Sequence, residues 1–97
     1  MKQSRRPNTR QTSVDLDSEH RKTVEQIFNR PSSANVEWRR VRSLIEAVAS
    51  DVEEHDGNLR ATLGGETETF KRPHGKDVDQ QMLVDMRRML TRAGITP

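Results

Sequence analysis

Gly64-Gly65 constrains this chain more than any other pair of residues. Adjacent glycines between two strand-like runs read as the central residues of a type I′ hairpin turn, where both positions need positive φ. The turn fixes which residues face one another on strands Asn58–Leu63 and Glu66–Lys71. Leu63 falls opposite Glu66, Ala61 opposite Glu68 and Leu59 opposite Phe70. Opposed residues share a face, so Leu59, Ala61, Leu63 and Phe70 point inward. Arg60, Thr62, Thr67, Thr69 and Lys71 point away, and one wet face is normal for an antiparallel sheet. Glu66 and Glu68 fit the inner face poorly and are expected where helices no longer cover the sheet. A further strand, Asp51–His55, precedes the pair.

An apolar sheet face needs a cover, and three amphipathic segments supply one. Ser18 reads as the cap of a first helix to about Asn29. It carries His20, Val24, Ile27 and Phe28 on one face, and Pro31 stops it. A second helix, about Glu37 to Ala49, bears the stripe Trp38, Val41, Leu44, Ile45 and Val48, with Arg39, Arg40, Arg42 and Glu46 outside. Trp38 is assigned to packing, with base stacking at the surface as the alternative. The last helix is expected to begin near Asp77, which has capping-box spacing to Gln80. Met82, Leu83, Met86, Met89, Leu90 and Ala93 form its apolar face, which assigns the methionines to core rather than to an adaptable binding surface. Arg87, Arg88 and Arg92 lie toward its C-terminus, where the helix dipole favours cations, and Gly94 caps it. The expected fold is α+β: a three-stranded antiparallel sheet with helices on one face, in the order helix, helix, sheet, helix.

The 97 residues allow one domain, placed at 18–97. Residues 1–17 are polar and read as a disordered basic tail, with Lys2, Arg5, Arg6 and Arg10 and no acid before Asp15. The absence of cysteine removes disulfides and thiolate zinc sites. No apolar run approaches the roughly 18 residues that span a membrane, and no secretory signal core opens the chain. The expectation is a cytoplasmic protein with no membrane contact. The His, Asp and Glu spacing shows no metal pattern, and no glycine-rich phosphate loop precedes a helix. No cofactor or metal is expected.

The connection Phe70-Lys71-Arg72-Pro73-His74-Gly75-Lys76 carries three fixed positive charges, one imidazole and no acid. It joins the last strand to the last helix, and such a cluster attracts phosphate. A histidine near neutral pKa moves a proton when a ribose 2′-OH attacks the adjacent phosphate, provided cations hold the developing charge. His74 with Lys71, Arg72 and Lys76 supplies those types. The alternative is that His74 only hydrogen-bonds backbone before the helix. Of the other histidines, His20 reads as partly packed and His55 sits among acids.

These residues resemble the HicA family of toxin–antitoxin mRNA interferases, from Val41 to Ile95. The resemblance rests on the helix Val41-Arg42-Ser43-Leu44-Ile45-Glu46-Ala47-Val48 and on Gly57-Asn58-Leu59-Arg60. It rests most on Arg72-Pro73-His74-Gly75-Lys76-Asp77 and on the ending Met86-Arg87-Arg88-Met89-Leu90-Thr91-Arg92-Ala93-Gly94-Ile95. The segment His20–Asn35 resembles the opening of the same branch. The resemblance implies a double-stranded-RNA-binding-like fold with an extra N-terminal helix, mRNA as substrate without a metal, and a HicB-like antitoxin as partner. Such folds bind RNA through shape, phosphate and 2′-OH contacts. HicA toxins carry their catalytic histidine on the second strand in Gly-Ser-His, where this chain has Gly57, Asn58 and Leu59. Three alternatives follow: His74 or His55 has taken the role, the protein binds RNA without cutting, or the scaffold does something else. The expected sites are His74 for acid–base chemistry and Arg60, Lys71, Arg72 and Lys76 for RNA.

Overall fold

The computed structural model describes residues 16–29 and 35–97. The order is α1 (Ser18–Phe28), α2 (Trp38–Val48), β1 (Asp51–His55), β2 (Asn58–Leu63), β3 (Glu66–Phe70) and α3 (Gln80–Arg92). The sheet is antiparallel with β2 in the centre. The fold is α+β, with the helices on one face of the sheet. Among the described residues no helix is long and apolar enough to cross a membrane. The expected N-terminal tail lies outside the described residues up to position 15, as does the expected stop at Pro31. Leu16 and Asp17 are described: Leu16 packs against the core, and Asp17 caps α1 by accepting the backbone N–H of His20 at 2.9 Å. The cap is thus one residue earlier than Ser18. The carboxylate reaches the third helical N–H and sits favourably at the positive end of the helix dipole.

The register of β2 against β3 is the one the glycine turn dictates, with Leu59 opposite Phe70 and Leu63 opposite Glu66. Both hairpins turn through pairs of positive-φ residues, Asp56-Gly57 (54° and 85°) and Gly64-Gly65 (60° and 82°). Leu59, Ala61, Leu63 and Phe70 are buried with the stripes of all three helices. Val24 and Ile27 come from α1, Leu44 and Ile45 from α2, and Met86 and Leu90 from α3. Met82, Met86 and Met89 are all buried, so this methionine face is packing. Trp38, at 8% exposure, belongs to the same core.

Glu66 and Glu68 lie on the core side of β3, where α3 meets them with arginine. Arg92 donates to Glu66 at 2.7 Å, and Arg88 lies 3.5 Å from Glu68. The helix does cover this end of the sheet, and it carries the counter-charges. At its C-terminus Gly94 (φ 81°) turns the chain. The Ile95 N–H returns to the Leu90 carbonyl at 2.9 Å and the Gly94 N–H to the Thr91 carbonyl at 3.0 Å, the paired bonds of a Schellman cap.

The start of α3 differs from expectation. Asp79, not Asp77, is the cap, accepting the Met82 N–H at 2.8 Å. Asp77 is held in an antiparallel bridge opposite Glu37. The Val78 N–H reaches the Val36 carbonyl at 2.9 Å, and the Trp38 N–H reaches the Lys76 carbonyl at 2.7 Å. This long-range pairing keeps 76–78 extended and delays the helix by two residues. It also satisfies the first N–H of α2, where Glu37 makes no side-chain cap bond.

Candidate functional site

The pairing of 36–38 with 76–78 anchors one end of the basic connection. The other end is anchored by Asn58, whose Oδ1 accepts the Arg72 backbone N–H at 2.8 Å. Between the anchors, Pro73, His74 and Gly75 form an arch beside the start of α2 and the β1–β2 turn. The arch borders an open cleft of about 780 Å³. Glu37, Trp38 and Arg39 line it from α2, Asp56 and Asn58 from the turn, and Arg72 through Lys76 from the arch.

Arg72 is the best-defined cation here. A Cβ placed on Gly57 would lie 3.0 Å from Cδ, Nε and Nη1 of Arg72, so the arginine side chain lies across the glycine. Gly57 is required twice, for its φ of 85° and for this close approach.

The distribution of ion pairs separates this loop from the rest of the surface. Arg39, Arg40, Arg42, Arg60, Arg88 and Arg92 each meet a carboxylate within 3.5 Å. Arg21 and Arg87 donate to the carbonyls of Leu16 and Ile27. Among the described residues, Arg72 is the arginine whose guanidinium meets neither, and Lys71 and Lys76, like the isolated Lys22 of α1, join no ion pair. Lys71, Arg72 and Lys76 are exposed. Lys76 instead acts at a distance on Glu37. The hydrogen bond from Arg39 chiefly, then the charges of Arg39, Lys76 and Arg40, hold the Glu37 carboxyl below the usual range.

The structure brings Arg72, His74 and Lys76 together on the cleft, and Lys71 precedes them, exposed, just past the end of β3. Arg60 does not line the cleft. It lies outward on β2 with Glu53 at 3.4 Å. His74 is exposed, and its imidazole makes no hydrogen bond among the described residues, backbone or otherwise. His55 ends β1, exposed, and is not a cleft residue. Leu59 is fully buried at the centre of the sheet's inner face. Sequence reading missed Glu37, Arg39, Asp56 and Asn58 as cleft residues. No local signal marks them, because two long-range contacts gather them: the pairing of 36–38 with 76–78 brings in Glu37 and Arg39, and the Asn58–Arg72 bond brings in the β1–β2 turn.

A second arrangement has hydrolase-like connectivity. Asp17 Oδ1 lies 3.2 Å from His20 Nδ1, and His20 Nε2 lies 2.9 Å from Ser43 Oγ. Ser43 sits inside α2, where backbone N–H groups are spent on the helix itself and offer no oxyanion pair. The contacts act as a clasp between α1 and α2, in keeping with the packed role expected of His20. Among the described residues no group of three or more His, Asp and Glu is placed to hold a metal ion. No protein-family model, no curated protein and no solved structure matches this chain.

Proposed function

We propose that the protein is a HicA-like, RNA-directed toxin of a toxin–antitoxin system, with the basic arch as its RNA contact. The observation that carries this reading is the set of cations, Lys71, Arg72 and Lys76, unpartnered among the described residues, on a doubly anchored loop beside a cleft. Elsewhere the described arginines are committed to protein acceptors, whereas these three have positive charge to give to phosphate. His74 is the imidazole on the arch, the side-chain type that serves general acid–base chemistry, and cleavage through it would need no metal. In this reading the fold is double-stranded-RNA-binding-like, the protein works in the cytoplasm, and a HicB-like antitoxin covers the arch.

Expression in a bacterial host tests the reading: growth should arrest and mRNA should be degraded. Harmless accumulation of folded protein would count heavily against a toxin. His74→Ala should lower cleavage about 10²–10⁴-fold while sparing most RNA affinity. Unchanged cleavage would remove His74 from the chemistry. A second reading, an RNA binder that does not cut, is favoured by two observations. Among the described residues the His74 imidazole has no group orienting it, and the position matching the family's histidine is a fully buried leucine. Binding without cleavage would select it.

A further inference from the structure

We infer that the cleft takes one unpaired nucleotide, its phosphates at Arg72 and Lys76 and its base toward Trp38, so that the RNA bound is single-stranded or locally unpaired rather than duplex. The inference rests on the RNA-binding reading above and narrows its substrate. Its first support is shape. A volume of about 780 Å³ lies within the roughly 300–1,000 Å³ typical of small-ligand sites. A duplex is instead met across an extended surface reaching two minor grooves and the phosphates between them.

The second support is where charge is left over. The extended surface available is the outer face of the sheet. Asp51 and Glu53 of β1 lie there opposite Thr62 and Arg60, and Arg60 already meets Glu53. That face carries two acids, Asp51 and Glu53, against the one arginine, Arg60, before Lys71 is reached. The outer faces of α2 and α3 hold their arginines in ion pairs. Among the described residues, unspent positive charge is concentrated on 71–76, with Lys22 of α1 apart from it, and suits about three phosphates rather than the long track a duplex offers. The third support is the mixed lining. Beside the cations the lining holds Trp38, of which 8% is exposed, and two acidic residues, Glu37 and Asp56. Carboxylates repel phosphate but accept hydrogen bonds from nucleobase N–H groups, as they do from cytosine amino groups. A nucleotide presents both kinds of group, and a bare phosphate chain does not.

The chain contains one tryptophan and no tyrosine, so its intrinsic fluorescence reports on Trp38 alone. The full chain is titrated with an unstructured eight-nucleotide RNA, and in parallel with a duplex of the same length. Fluorescence and anisotropy are recorded at several salt concentrations. The single strand should perturb Trp38 and bind at least about tenfold more tightly than the duplex. Its log Kd against log salt should have a slope magnitude near 2, from about 0.7 for each of three phosphates. Arg72→Ala should lower that slope by about 0.7. Equal or tighter duplex binding with no change at Trp38 would overturn the cleft inference and leave the RNA reading standing. Absence of binding to either RNA at low salt would overturn both.

Discussion

Gly57→Ala is the perturbation that best separates stability from function in this protein, because a matched control exists. Gly57 and Gly65 are both second residues of two-residue hairpin turns, with φ of 85° and 82°. An alanine in left-handed backbone costs about 1–2 kcal/mol. For a domain of this size that lowers Tm by about 4–16 °C. The backbone cost should be the same at both sites. They differ in what a Cβ meets: nothing within 4 Å at Gly65, but Cδ, Nε and Nη1 of Arg72 at 3.0 Å at Gly57. Arginine gives way by changing rotamer, at about 0.5–1.5 kcal/mol, so the two variants should melt within a few degrees of each other. Only Gly57→Ala moves the guanidinium. A charge-assisted contact contributes about 1.5–3 kcal/mol, so RNA affinity should fall by about tenfold or more, while Gly65→Ala binds like the parent. Circular dichroism melts and anisotropy titrations at a temperature where both variants are folded provide the readouts. In an Arg72→Ala background Gly57→Ala should cost no further affinity. Equal affinity for the two glycine variants, or a further loss in the Arg72→Ala background, would refute the claim that Gly57 acts by seating Arg72.

Leu59→Ala should cost about 2–5 kcal/mol in urea melts, since it empties a fully buried site between sheet and helices. Asp79→Ala should cost about 0.5–2 kcal/mol through the lost Met82 N–H bond, whereas Ser18→Ala, outside the cap of α1, should melt like the parent. The Glu37 carboxyl is held below its ordinary 4.5. Its contribution to stability is therefore complete above that value and disappears as pH falls through the lowered folded one. Urea melts should show a stability gap between the parent and Glu37→Gln that is constant from pH 7 to about pH 5.5 and closes below 4.5. A gap that does not narrow as pH falls below 4.5 would show that Glu37 acts through packing rather than charge.

Local rules reached far into this chain. Gly64-Gly65 set the register of two strands and their inner face, because a turn with two positive-φ positions leaves one pairing. The 3.6-residue stripes located three helices and most of the core, because each helix has to bury one side. What those rules missed was decided by segments distant in sequence. Asp77 has the local chemistry of a cap, yet the bridge to Glu37 outcompetes it and passes the cap to Asp79. Glu66 and Glu68 read as misfits until Arg92 and Arg88 of α3 arrive. The basic connection was legible as charge, since its cations stand without an intervening acid between a strand and a helix. Its shape was not. Only tertiary structure ties Arg72 to Asn58 and residues 76–78 to 36–38, and so sets the arch over a cleft walled by Trp38 and Glu37. Charge belongs to residues and can be read in order. A cleft belongs to the contacts between distant segments, and no window along the chain contains both of its walls.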